Sequence, residues 1–436
     1  MKKNVFGRAI LTATLLITVC ATGSIVIGGA GGPLEDRVDA AIISGKLLPA
    51  AMLGAPISKY RLFASDGTNL APIPFQIDER NDKGVLLMQK GPKVAPDNDN
   101  GAFDANDELV FMAFDASTRL AGKPAVAGCE TFAEISMTDE KTSAVGYAYL
   151  AKCANPPPMS SKRYVQWDTA KRTAVTDRYK MGWQLGAVPN YNYDYLSIFG
   201  SPDLLDRLKV RVAVGIGALR KVFNEGDFKN AIAGTIEGPV RVVYTNNSKL
   251  GLGLLGGIPI GQDVYFYRDW AYLYNPIDSR FNPAVIGLDF EVGIIHDLAL
   301  DRSKGYKLCA DVLPNCIAID GKMTPEKAEM AKKELHWGGI VGPEGAIMTR
   351  LIMDKRLPTK SMGVYVDDDK VTNKPENIPG SSPEIGFLVV QWKGAKAGVY
   401  TLDFYHYFMK KFSKAEMDRF DRIVYNPLKI KTVALQ

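Results

Sequence analysis

Between Pro96 and Glu108 the chain sets oxygen-bearing side chains around a glycine: Asp97, Asp99, Gly101, Asp104, Asn106 and Glu108. A hard cation needs such a pattern. Calcium takes six to eight oxygen ligands, and an acidic loop hinged at glycine can wrap them round one centre. The cofactor this segment suits is therefore calcium, with Asp97, Asp99, Asp104, Asn106 and Glu108 as candidate ligands. The spacing departs from the EF-hand loop, because no bidentate glutamate stands where that motif requires it. The competing reading is a solvated turn between two strands, where Asp and Asn serve local hydrogen bonding. Upstream, Gln76-Ile77-Asp78-Glu79-Arg80 adds carboxylates within reach of the same sheet end.

Aromatic residues form two clusters. Trp183, Tyr191, Tyr193, Tyr195 and Phe199 make the first; Tyr265, Phe266, Tyr267, Trp270, Tyr272 and Tyr274 make the second, with Arg268 and Asp269 inside it. Flat amphipathic rings beside polar groups suit sugar rings or enclose a hydrophobic ligand. Tyr193, Tyr265, Tyr267, Trp270 and Arg268 are the candidate ligand-binding residues. Alternation at 265/267 puts the tyrosines on one strand face. That face is either a platform or ordinary sandwich core.

Histidine occurs three times, as His296, His336 and His406. A histidine beside a carboxylate or tyrosine can act as general acid or base, as in epimerisation or elimination on a sugar acid. His406, between Tyr405 and Tyr407, is the first catalytic candidate; His336, beside Trp337, is the second. Neighbours on a strand point to opposite faces, so His406 must find its partner on another strand. The alternative is a structural histidine with its hydrogen bonds satisfied. Gly251-Leu252-Gly253-Leu254-Leu255-Gly256 matches a dinucleotide-binding glycine pattern but runs from a turn-like Asn246-Asn247-Ser248 towards Pro259, so the strand–turn–helix context is missing.

These groups must be held by sheets. Tyr60–Phe63, Pro74–Ile77, Glu108–Phe114, Gly146–Leu150, Arg163–Trp167, Val210–Val214, Val240–Tyr244, Val264–Tyr267, Phe387–Trp392 and Gly398–Tyr405 carry the aromatic and β-branched enrichment of strands. Two helices are expected. One opens at Thr324-Pro325-Glu326 and runs to about Leu335; the other opens at the Ser413-Lys414-Ala415-Glu416 capping box. Many strands and few helices predict an all-β protein, an antiparallel β-sandwich or supersandwich. The triple proline at 156–158 reads as a linker, separating a smaller sandwich-like domain at 34–154 from a larger antiparallel sheet domain at 160–436.

Lys2, Lys3 and Arg8 precede an apolar run from Ala9 to Ile27 and a small-residue exit, so residues 1–30 read as a signal peptide cleaved after Ala30. An uncleaved anchor is the alternative, and it would be the one membrane contact expected. Loss of the leader leaves a nearly neutral chain from 53 Lys+Arg and 48 Asp+Glu, without a nucleic-acid footprint. Cys129, Cys153, Cys309 and Cys316 remain after the leader's Cys20. An even count in an exported chain reads as disulfides. Each of the pairs Cys129–Cys153 and Cys309–Cys316 would close a short local loop.

Gln76-Ile77-Asp78-Glu79, Asp104–Phe111 and Glu237-Gly238-Pro239-Val240-Arg241 are short blocks that resemble a loose group of secreted bacterial proteins, some with galactose-mutarotase-like supersandwich features. The resemblance implies a large β-sandwich body and a carbohydrate ligand. It carries over no catalytic residue. The function expected is an exported periplasmic or secreted binding protein for a glycan or hydrophobic ligand. The alternatives are a lyase or epimerase on a sugar acid, and a cell-envelope scaffold.

Overall fold

A computed structural model of the chain describes residues 32–91, 101–184, 193–216, 219–251, 257–279, 289–368, 370 and 383–435. In chain order the first strands are β1 (Ala40–Ser44), β2 (Tyr60–Ser65), β3 (Leu70–Pro72), β4 (Gln76–Asp78), β5 (Glu108–Met112), β6 (Cys129–Thr138) and β7 (Val145–Cys153). There follow β8 (Gln166–Asp168), β9 (Thr173–Val175), β10 (Tyr179–Gly182), β11 (Tyr195–Ile198), β12 (Leu205–Ile216), β13 (Leu219–Phe223), β14 (Phe228–Glu237), β15 (Val242–Gly251), β16 (Gly257–Phe266), β17 (Trp270–Tyr274) and β18 (Pro276–Ser279). The last are β19 (Asp289–Leu298), β20 (Lys307–Ala310), β21 (Ile317–Ala318), β22 (Trp337–Val341), β23 (Ala346–Met353), β24 (Lys360–Val366), β25 (Glu384–Val390), β26 (Gly398–Met409) and β27 (Lys429–Leu435). The helices among the described residues are α1 (Leu300–Ser303), α2 (Pro325–Met330) and α3 (Lys414–Tyr425). The protein is all-β, and its strands pair antiparallel.

A ten-stranded sheet, β14-β15-β16-β17-β26-β23-β22-β20-β21 with β18 beside β16 and β26, forms the centre. Its strands alternate. Val264, Phe266, Leu273, Phe404 and Phe408 face one way, into a core shared with Leu205, Leu208, Ile385, Phe387 and Val389 of the five-stranded sheet β13-β12-β19-β25-β24. Tyr267, Trp270, Tyr407 and Met348 face the other way, into a second core with Val110 and Met112 of β5 and Met417 and Phe420 of α3. Leu109 and Phe111, on the opposite face of β5, enter a third core against the sheet β27-β6-β7-β2-β3. Period-two patterning thus makes β5 a strand buried on both faces, which is why Glu108–Phe114 reads as a continuous apolar run.

Ser413 caps α3 by accepting from the Glu416 N–H at 3.1 Å, as the capping-box pattern predicts. Thr324 caps α2, which ends at Met330, short of the Leu335 expected. The backbone beyond it is drawn to β24 instead: Leu335 N–H donates to Ser361 O and Glu334 bridges Met362. Asn246-Asn247-Ser248 is not a turn. It lies inside β15, paired on both sides, with Asn246 and Ser248 buried and Asn247 exposed. The disulfides are the expected ones, Cys129–Cys153 and Cys309–Cys316. Among the described residues no helix is long and apolar enough to cross a membrane.

Candidate functional site

On the face of the ten-stranded sheet away from the five-stranded sheet, register alone builds two parallel rows. Directly opposed residues of antiparallel strands put their side chains on one face. Val243, Tyr265, Tyr272, Tyr405 and Arg350 therefore form one row across β15, β16, β17, β26 and β23. Thr245, Asp263 and Tyr274 begin the next. One step beyond the Leu273–Phe404 pair, Tyr274 meets Asp403, which opposes Ile352. A row of phenols thus runs beside a row carrying two carboxyls. All of Tyr265, Tyr272, Tyr274, Tyr405, Asp263 and Asp403 are half-buried.

The rings stand upright and stack on one another. Tyr265 and Tyr272 have centroids 5.6 Å apart at 22°, and Tyr272 and Tyr405 4.7 Å apart at 21°. Ring faces are consumed by these contacts, so the row is not a stacking platform, and the hydroxyls are the groups it has for hydrogen bonding. At one end the Arg241 guanidinium lies 5.2 Å from the Tyr265 ring centre. At the other, Arg350 grips Asp421 of α3 through Nε and Nη2 at 2.6 and 2.5 Å.

Burial acts on the carboxyls. Asp403 is pushed up to about 6 by desolvation, against the opposing pull of Thr401, Asn275 and Tyr272, while Asp354 adds to the rise. Its Oδ2 accepts from Thr401 Oγ1 at 3.1 Å, and its Oδ1 has no hydrogen-bond partner. Asp263 is raised by the same loss of water, opposed by Thr245 and Arg80. Desolvation likewise raises Tyr265, Tyr272 and Tyr405, so their hydroxyls stay protonated. The surface is polar without being strongly charged.

The expected ligand residues scatter. Tyr265 stands in the row, but Tyr267 and Trp270 are buried and stacked on each other at 4.1 Å beneath β5. Tyr267 Oη accepts from Arg241 Nη1 at 3.2 Å, and Trp270 Nε1 donates to Val38 O at 2.8 Å. Arg268 pairs with Asp177 at 2.9 Å and lies over Phe114, away from both rows. Tyr193 is buried on the opposite face of the sheet.

Tyr193 instead joins two histidines. Thr349 Oγ1 lies 2.9 Å from His406 Nδ1, Tyr193 Oη lies 3.0 Å from His406 Nε2, and the same hydroxyl lies 2.5 Å from His296 Nε2. The hydrogen bond between the His296 ring and the Ile385 backbone favours a proton on the ring, so that nitrogen donates and Nε2 accepts. The chain of donors then has one direction: Thr349 hydroxyl to His406, His406 to Tyr193, Tyr193 to His296, His296 to Ile385. Desolvation lowers both histidines, His296 to about 4, so both rings are neutral. His406 has indeed found partners from other strands, but both its nitrogens are occupied and none is left to take a proton from a substrate. His336 is exposed, with Nδ1 at 2.9 Å from Asp311 Oδ2.

In the acidic segment Asp97 and Asp99 lie outside the described residues. Asp104 Oδ1 accepts from the Asn106 and Asp107 N–H groups at 2.8 and 3.3 Å, and Asp107 caps Asp104 and Arg80 in return. Asn106 is half-buried in that turn. Glu108 is held by Arg80 at 2.8 Å and Arg241 at 2.6 Å. Among the described residues no group of three His, Cys, Asp or Glu side chains is placed to hold a metal ion.

No family model matches the chain, and no characterised protein matches it in sequence. Two solved structures superpose on it in part. An alpha-mannosidase from Enterococcus faecalis V583 superposes with a TM-score of 0.46 at 8% identity, over 90% of this chain and 47% of that one. A protein in the glycosyl hydrolase family 38 from Enterococcus faecalis gives 0.43 at 8% identity, over 90% and 48%. The chain spans about half the length of these structures.

Asp263, Asp403 and Tyr405, and also Tyr272 and Tyr274 of the second aromatic cluster, were not among the ligand-binding candidates read from the sequence. The signal was present in the alternation of β26 and β16, but it becomes a site only when the register of four strands is known.

Proposed function

We propose that this is an exported carbohydrate-binding protein whose sugar site is the tyrosine–aspartate face of the central sheet. The observation that carries the reading is the pair of adjoining rows, Tyr265-Tyr272-Tyr405 and Asp263-Tyr274-Asp403. A sugar presents neutral hydroxyls that both donate and accept. Protonated phenols, one carboxyl that holds its proton to about pH 6 and a second carboxyl offer both functions in one half-buried strip. Two disulfides fit an oxidising compartment outside the cytosol, as the N-terminal leader pattern does. A glycan array followed by calorimetry tests the reading. Binding of a neutral oligosaccharide that falls about tenfold in Asp403→Asn and Tyr272→Phe, roughly the loss of one charge-assisted hydrogen bond, supports it. An array without hits, or affinity untouched by both substitutions, sinks it.

A second reading rests on Asp403 itself. A carboxyl that keeps its proton up to about pH 6, with a second carboxyl two strands away in the same row, is the equipment of a general acid acting on a sugar. Turnover of a bound oligosaccharide that disappears in Asp403→Asn while binding persists would select it.

A further inference from the structure

Gln262 and Asp263 are neighbours on β16 and face opposite sides of the central sheet. Asp263 belongs to the tyrosine–aspartate face; Gln262 points into the space between the two large sheets. There β12 and β19 diverge from β15, β16 and β18, leaving a cavity of about 70 Å³ lined by Val210, Val212, Phe228, Ile260, Ile277 and Ile294, among other apolar side chains. Ile260, Ile277, Val292 and Ile294 are half-buried, so solvent reaches its outer end. At its inner end Val210, Asn275 and Ile294 are shared with an adjoining cavity of about 20 Å³, which is lined also by the polar groups of Gln262, Tyr193, His296 and His406. None of the described residues lining either part is Asp, Glu, Lys or Arg.

That inner end is not fully satisfied. The Tyr193, His296 and His406 chain uses all its donors internally, as described above. Gln262 is 2% exposed, and its Nε2 donates to Asn275 Oδ1 at 3.1 Å, yet its Oε1 has no partner. An amide oxygen left bare in an apolar interior costs free energy that a ligand donor would recover.

We propose that this cavity binds a small neutral amphiphile, an aliphatic body ending in a hydroxyl that donates to Gln262 Oε1. One water needs about 10–15 Å³ of such space, so the cavity has room for about five waters, and its open outer end lets an aliphatic chain extend beyond it towards solvent. A carboxylate would lose its hydration with no cation to receive it, so the site discriminates by charge. It lies on the other side of the sheet from the proposed sugar site and does not depend on it.

Calorimetry with 1-hexanol and with hexanoate at pH 8, on the oxidised full chain, tests this. Saturable hexanol binding, at least about tenfold tighter than hexanoate and weakened about tenfold by Gln262→Met, is the expected result. Val212→Trp fills the cavity from one sheet and Ile277→Trp from the other, so either folded variant should abolish binding. Absence of saturable hexanol binding overturns the proposal, as does equal affinity for hexanoate or retained affinity in a folded cavity-filling variant.

Discussion

Arg241 and Tyr265 meet at the seam between the three-stranded sheet β1-β5-β4 and the central one, the guanidinium 5.2 Å from the ring centre. The same guanidinium donates through Nε to Asp78 Oδ2 at 2.7 Å and through Nη2 to Glu108 Oε2 at 2.6 Å. Gln76 Oε1 accepts from the Val240 and Arg241 N–H groups. The blocks around Gln76, Glu108 and Arg241, distant in sequence, are thus one buried cluster that closes the end of the tyrosine row.

Removing its cation should be costly. Arg241→Met leaves Asp78, 2% exposed, without its countercharge, and should destabilise the fold by about 3–5 kcal/mol in denaturant unfolding. A loss below about 1 kcal/mol would show that water already reaches the cluster.

Asp403 gives a pH signature. Its pKa in the folded chain is raised to about 6 from an ordinary 3.8, so the folded state holds the proton more tightly. The stability this contributes is complete below about pH 4 and is lost as pH rises through 6. Asp403→Asn mimics the protonated form and should lack this decline. Between pH 4 and 7 the variant should therefore gain on the parent chain by on the order of 2 kcal/mol, read from thermal or denaturant midpoints. Parallel pH curves would refute the assignment.

The buried histidines act with the opposite sign. His296, lowered to about 4, contributes stability that is present above the unfolded value near 6.5 and lost as pH falls through 4. Nitrogen NMR at pH 6 should find both rings neutral, with His406 protonated at Nε2 and His296 at Nδ1. Tyr193→Phe strands a donor on one ring and an acceptor on the other, at a cost of about 2–4 kcal/mol. Observation of an imidazolium at pH 6 would contradict the donor chain.

The two disulfides should differ in weight. Cys129–Cys153 spans 24 residues and Cys309–Cys316 spans 7. Loop-closure entropy then assigns about 3.4 and about 2.4 kcal/mol respectively. Replacing each pair by serine and comparing denaturant midpoints checks the order; a larger loss at the shorter loop would mean that strain or residual structure dominates.

The all-β character, both helix starts and the cysteine pairs were legible in the chain because each is local. Alternation sets strand faces, Ser413 and Thr324 cap the turns that follow them, and each cysteine pair closes a short loop. The end of α2 was not legible, because the pull of β24 on Glu334 and Leu335 comes from residues about 30 positions away. Nor was the strand at Asn246–Ser248: polar residues stay extended there because β14 and β16 saturate their backbone on both sides.

Sequence by itself determined which side chains share a strand face, since that follows from the period-two pleat. Tertiary structure alone decided which faces meet, since strand register is set by long-range pairing and by competition for burial. It turned Tyr267, Trp270, Tyr193 and His406 inward and left Tyr265, Tyr272, Tyr405 and Asp403 in one half-buried strip. A tyrosine or histidine carries the same chemistry in either place; whether water, an arginine or a neighbouring ring lies against it depends on strands far away in the chain.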